Sequence, residues 1–271
     1  MFDGRSSAFE IAREAVRWGV GGLELMNFCD ELKKPDMNAA KEIGRFAREA
    51  GLALPCFSVG IHLYSECNRP QIERLKAYAD ICSALEIPYL HHTLLTSLDP
   101  SVPGDPFDTI MKVVTEASLE VSAYAASKGV KTIVENMGFI ANGISNYTRF
   151  RNDTDSSIGI LLDVGNILFV DETAEAFCTE FAGKIDHVHI KDYDLTETPK
   201  NERSYRTKAG MYLTDAPIGL GDVNIDRTIS ILESAGYRGH YSLEFSGGQT
   251  DHEIERILSC LSDLLDTAPH P

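Results

Sequence analysis

The sequence predicts a single-domain parallel β/α barrel of the (β/α)8 type, spanning residues 1–271. Three observations carry this. Short apolar runs alternate with amphipathic helical segments from end to end, at a spacing of roughly 30 residues, as βα units require. Four consecutive apolar runs end in a residue able to bind a metal: 131–135 in Glu135, 158–163 in Asp163, 185–189 in His189 and 241–244 in Glu244. One polar side chain at the exit of each successive strand is what a parallel barrel needs to hold a cation at its mouth. No linker, low-complexity run or shift in composition divides the chain.

Taken in order, residues 9–18 carry apolar side chains at helical spacing, and Gly19 to Gly22 end that run. Residues 22–26 form the next strand, and 37–50 a helix stopped by Gly51. Residues 52–60 read as a strand ending near His62, 70–85 as a helix, and 87–95 as a strand containing His91 and His92. A long helix over 107–128 is closed by Gly129. The four ligand-bearing strands follow, accompanied by helices at 173–181, 225–235 and 252–265. The strands near 22, 53, 88, 131, 158, 185 and 241 make seven, one fewer than a closed barrel has. The first strand is the missing one, with Met1-Phe2 as at most its tail. Three explanations stand: a start further upstream, an open barrel, or a gap covered by another chain. An uncovered edge is an aggregation liability, which makes a homo-oligomer an expectation.

Residues 192–224 separate a strand from its helix by an unusual length and hold Lys200, Arg203, Arg206 and Lys208, then Gly219-Leu220-Gly221. A connection this long in a compact domain is more often a functional lid than idle length. A solvated excursion or an oligomer contact competes with that reading. Arg203 and Arg206 are candidates to clamp a phosphate, which guanidinium forks do well. The glycine pair is no dinucleotide fingerprint, because it lacks a preceding strand and a third glycine.

Side chains alternate across a strand, which tests the ligand set. Within 185–189, Val188 should face the helices, so His187 and His189 point into the barrel, His189 nearer the rim and His187 a layer deeper. Lys191 continues the same face and is placed to meet an anionic or carbonyl oxygen of a substrate. Glu135 shares a face with Ile133, and Glu244 with Ser242. Facing buried glutamates are costly unless a cation or a shared proton compensates them. Three carboxylates and one imidazole suit Mn²⁺, Mg²⁺, Co²⁺ or Zn²⁺. Only one of His91 and His92 can point inward; His92 is carried as a substrate contact, with a packed core histidine as its competitor. Glu24 reads equally as a substrate contact or a rim ion pair.

Lys+Arg number 25 and Asp+Glu 41, a formal net charge of −16 that repels nucleic acid phosphates. The six cysteines show no ligand spacing and read as free thiols of a reducing compartment. No apolar run reaches membrane-spanning length, so a cytoplasmic enzyme of small molecules is expected, with neither a nucleic acid nor a membrane partner.

Several motifs together resemble the xylose isomerase-like TIM barrels, which include sugar phosphate isomerases and epimerases, inosose dehydratases and zinc AP endonucleases. They are Gly22-Leu23-Glu24-Leu25, Val134-Glu135-Asn136, Leu162-Asp163-Val164-Gly165-Asn166, Val188-His189-Ile190-Lys191-Asp192, Gly219-Leu220-Gly221-Asp222, Gly236-Tyr237-Arg238-Gly239 and Leu243-Glu244. The resemblance implies one divalent metal, Mn²⁺ foremost, on Glu135, Asp163, His189 and Glu244, with the two glutamates as acid and base. It implies a sugar or sugar-phosphate isomerase or epimerase working through an enediolate, with an inosose-type dehydratase as the alternative. Two departures matter. Asn166 stands where many relatives have histidine and is carried as a substrate contact, and Met137 stands where many have histidine after the asparagine. His62 and His92 match two further ligands of the AP endonucleases, but Asn166 breaks that set.

Overall fold

The computed structural model describes residues 7–99, 101–102, 104–244 and 251–266. Seven parallel strands form one curled sheet: β1 (Leu25–Met26), β2 (Cys56–Val59), β3 (Tyr89–His92), β4 (Lys131–Glu135), β5 (Gly159–Asp163), β6 (Ile185–Ile190) and β10 (Tyr241–Leu243). They run in that order across the sheet, so each strand pairs with the one before it in the barrel sequence. Among the described residues nothing pairs β10 with β1. The sheet is therefore an open half-barrel whose gap falls where an eighth strand would stand.

The covering helices are α1 (Ala8–Arg17), α2 (Met37–Glu49), α3 (Arg69–Leu85), α4 (Phe107–Ser127), α5 (Ile144–Asp153), α6 (Ala174–Phe181), α7 (Ile225–Ser234) and α8 (Asp251–Asp266). Local chemistry sets their starts. The Asp36 carboxylate accepts from the amides of Asn38 and Ala39 at the head of α2, Thr173 caps α6 and Asn224 caps α7. Such caps satisfy amides that have no partner within the helix. The apolar sheet face packs on the helices in two bodies. One gathers Phe57, Val59, Leu90 and Val134 with α1 to α4; the other gathers Ile160, Leu162, Val188 and Ile190 with α6 to α8. Each body comes from strand residues of one parity, so the other parity faces the barrel interior.

Two segments differ from the sequence expectation. Residues 144–153, to which the sequence reading assigned no element, form α5. The long connection after β6 is an ordered antiparallel sheet of β7 (Asp192–Thr196), β8 (Tyr205–Arg206) and β9 (Tyr212–Ala216), in the order β7-β9-β8. Its Phe169–Tyr193–Leu213 core packs with Phe139, Leu195 and Tyr205, which fastens this flap to the turn after β5. Gly165 allows the approach: a Cβ there would stand 3.0 Å from the Tyr193 ring. The segment is anchored by apolar packing rather than a free solvated excursion.

Candidate active site

Strand parity fills the interior in layers. Cys56, Ile133 and Leu161, with Tyr89 against them, form a small apolar floor. Two residues on along the strands stand Ser58, His91, Glu135 and Asp163. Each lies nearer the C-terminal end of its strand, where barrels carry their chemistry.

Glu135, Asp163, His189 and Glu244 converge there: one ligand atom of each lies within 4.8 Å of all the others. Each is held from behind. The Asp163 carboxylate accepts from the Gly165 and Asn166 amides through Oδ1, both at 2.8 Å, which commits that oxygen. Its Oδ2 is buried and has no hydrogen-bond partner among the described residues. Asn136 clamps the same strand end, accepting from the Asp163 amide and donating to the Asp163 carbonyl. The Asn166 side-chain amide donates to Glu135 Oε1 at 3.3 Å. Lys191 Nζ donates to Glu244 Oε1 at 3.1 Å.

His189 presents its two ring nitrogens to different neighbours. Nδ1 faces the cluster, 3.4 Å from Glu135 Oε1 and 3.2 Å from Glu244 Oε2, yet makes no aligned hydrogen bond among the described residues. Nε2 faces Glu24, at 2.9 Å from Oε1 and 3.1 Å from Oε2. His187 Nε2 bonds Glu24 Oε2 at 3.0 Å and Ser242 Oγ at 2.9 Å. Ser58 donates to Glu24 Oε1 and meets His91 Nδ1 at 2.8 Å.

Burial and neighbouring charge set the protonation of this metal-free cluster. Burial pushes the Asp163 carboxyl up, and Glu135 and Glu244 push it further against the pull of Lys191. Burial also works against a charged Glu244, but Lys191 and His189 outweigh it and hold that carboxyl well below the usual range. Burial disfavours a charged His189, yet Glu24, Glu135 and Glu244 together hold the imidazole well above its ordinary value. Lys191 rises likewise, burial being overcome chiefly by Glu244. His91 is pushed down by burial.

The donor set fits a divalent cation. Two buried atoms, Asp163 Oδ2 and His189 Nδ1, lack hydrogen-bond partners among the described residues and stand among carboxylate oxygens. One imidazole nitrogen and three carboxylates suit a hard or borderline ion.

The other expected residues divide. Lys191, Asn166, His187 and Glu24 all touch the cluster or its supports. Glu24 does so as the partner of two histidines. His92 stands with Val59 and Val134, its register partners on the helix-facing side, and its Nδ1 lies 3.2 Å from the Thr93 carbonyl. His91 holds the inward place instead, with Nε2 at 3.8 Å from Glu135 Oε2. Leu90 is the signal that finds it, since an apolar residue facing the helices turns Tyr89 and His91 inward. Arg203 and Arg206 are exposed on the flap, and among the described residues neither bonds to the cluster. His62 joins neither candidate ligand group among the described residues.

Asp192 has a role that sequence reasoning missed. It is buried, and its carboxylate accepts from the amides of Tyr193, Gly219, Gly221 and Val223. It thereby ties the turn before α7 to the base of the flap.

Comparison with known proteins places this architecture. Inosose dehydratase from Clostridium perfringens is 23% identical over 138 residues, 49% of this chain and 46% of that protein. The chain thus matches about half the length of that relative. The 3-keto-D-glucoside 4-epimerase of E. coli superposes with a TM-score of 0.73 at 15% identity, over 98% of this chain and 96% of its own. The IOLI protein, solved with a bound zinc atom, superposes with a TM-score of 0.74 at 16% identity, over 99% and 97%. These two likenesses show the fold. The model of the xylose isomerase-like TIM barrel matches residues 12–264. With seven parallel strands carrying the interior and that match spanning nearly the whole chain, the protein belongs to the xylose isomerase-like TIM barrel family.

Proposed function

We propose that the chain is a divalent-metal-dependent isomerase or epimerase of a sugar or sugar phosphate, acting through an enediolate. The observation that carries this reading is the convergence of Glu135, Asp163, His189 and Glu244, with two glutamates of separate strands meeting at His189 Nδ1. Those four residues would hold one ion, Mn²⁺, Mg²⁺, Co²⁺ or Zn²⁺. The zinc bound by the structural relative supports a divalent ion. When bound, the ion supplies Lewis-acid polarisation of a carbonyl oxygen and of the charge that builds beside it.

Shifting a carbonyl along a sugar, or inverting the carbon beside it, begins by removing the proton α to that carbonyl. One of Glu135 and Glu244 takes this proton, and the other returns one to the neighbouring carbon or to the opposite face. Lys191 keeps Glu244 in the ionised form that a base must have. Lys191, itself cationic, orients a carbonyl, hydroxyl or phosphate oxygen of the substrate. Asn166 holds the Glu135 carboxylate through Oε1.

One observation favours a second reading. The relative matched over half the chain is an inosose dehydratase. In that chemistry the same proton abstraction is followed by expulsion of a β-hydroxyl, and Lys191 is within reach of Glu244 to assist proton delivery.

The test is a screen of ketoses, sugar phosphates and inososes with each ion in D₂O, followed by NMR and mass spectrometry. Exchange of the α-proton reports the shared step. A product of unchanged formula identifies an isomerase or epimerase, and loss of one water identifies a dehydratase. No α-exchange with any substrate and ion contradicts both.

A further inference from the structure

Beside the cluster lies a second group of buried polar side chains, and Glu24 is its hub. Its carboxylate meets three side chains at once: His189, His187 and Ser58. Glu24 is only 10% exposed, and His187 and His189 are 1% and 5% exposed. A buried carboxylate with three donors is committed to one arrangement. We infer that Glu24 is a positioning residue that holds a proton of His189 on Nε2, so that Nδ1, which faces Glu135 and Glu244, is the ring nitrogen that gives up its proton to a cation.

Two features specify this beyond proximity. The two ring nitrogens have opposite surroundings: Nε2 lies 2.9 Å and 3.1 Å from the oxygens of one carboxylate, while Nδ1 has no aligned hydrogen bond among the described residues. A neutral imidazole carries one proton, and the Glu24 side is where it is stabilised. Ser58 fixes Glu24 in turn, because it donates to Oε1 while its own oxygen meets His91. The carboxylate also raises the basicity of the distal nitrogen, which strengthens it as a ligand.

Glu24, His187 and His189 also lie close enough to form a second cation group. The geometry points away from that use. Both histidine Nε2 atoms sit at N–H···O distance from Glu24, and a cation there beside one at the four-residue cluster would need His189 to surrender both ring protons.

This inference rests on the reading of the four-residue cluster as a cation site, and the test separates the two. Wild type, Glu24→Ala, Glu24→Gln and His187→Ala are titrated with Zn²⁺ and with Mn²⁺ by calorimetry. Histidine tautomers of the zinc-loaded proteins are read by ¹⁵N NMR. Wild type should bind one ion, with the proton of His189 on Nε2. Glu24→Ala should bind about 10–100-fold more weakly. Glu24→Gln keeps an acceptor oxygen without the charge and should recover most of that loss, remaining several-fold weaker than wild type. His187→Ala removes one of the three groups that hold Glu24 and should weaken binding less than Glu24→Ala does. Should Glu24→Ala fail to fold, the Gln variant and its tautomer signal decide. Unchanged affinity and tautomer in the Glu24 variants overturn the inference while leaving the cluster intact. A second ion that is lost in Glu24→Ala and in His187→Ala also overturns it, in favour of a second site. Absence of binding by wild type overturns the cluster reading and this inference with it.

Discussion

At the residue scale, His189 decides how the site responds to pH. In the metal-free protein its imidazole holds a proton well above the ordinary histidine range. Asp163 holds its proton above the ordinary carboxylate range as well. A cation must displace both, so binding releases protons and weakens as pH falls. Competition titrations against a chelator at about pH 6 and about pH 8 should show the tighter binding at the higher pH, since both groups hold their protons above their ordinary values. Equal affinity at the two values contradicts this protonation scheme. The sign for stability is opposite for metal-free protein. A raised His189 contributes stability that is complete below about 6.5, the ordinary value, and is lost as pH rises through its own higher value. Glu135→Gln and Glu244→Gln should each lower turnover at saturating metal by about 10²–10⁴-fold, the usual worth of a general acid or base; steady-state kinetics on the substrate found by the screen checks this. The four clustered residues were legible because each ends an apolar run and Val188 sets the parity of its strand. His91 was equally legible through Leu90. The hub role of Glu24 was not, since it depends on distances between β1 and β6, 163 and 165 positions apart in the chain.

At the element scale, one carboxylate ties the base of the flap of β7, β8 and β9 to the turn before α7. Asp192 is 1% exposed and satisfies four amides of β7 and the turn leading to α7. Asp192→Ala leaves those donors without an acceptor and should cost about 2–4 kcal/mol. Thermal unfolding measures the loss, and amide exchange should rise at Gly219, Gly221 and Val223 before it does in α4. Gly221→Ala should act in the same direction, because a Cβ there collides with the Asp192 carboxylate. The sequence motif of lysine, aspartate and a later glycine pair was visible, but its physical meaning was not. The tie crosses 27 to 31 positions, and the three short strands between show little alternation. α5 escaped for a related reason: only Tyr147 and Phe150 of its ten residues are buried, so it lacks a clear apolar stripe.

At the scale of the whole molecule, the candidate ligands come from β4, β5, β6 and the residue after β10, which are consecutive across the sheet. A cation there ties four neighbouring strands at their exits on one side of the open barrel. Metal should therefore raise thermal stability, by about 2.7 kcal/mol at a free concentration one hundred times Kd. For a chain of this size that is a shift of several degrees, readable by calorimetry with and without chelator. The strand–helix alternation made the seven parallel strands and the gap between β10 and β1 legible in advance, because each βα unit carries its own local pattern. The net charge of −16 is consistent with a site that attracts cations.

The central claim is that Glu135, Asp163, His189 and Glu244 form one cation site. Elemental analysis of protein purified without chelator and resupplied with Mn²⁺, Mg²⁺, Co²⁺ or Zn²⁺ tests it most directly, on wild type beside His189→Ala. One ion per wild-type chain, lost in the variant, is the predicted result. No ion under any supply, three ions per chain, or one ion kept by His189→Ala would contradict it.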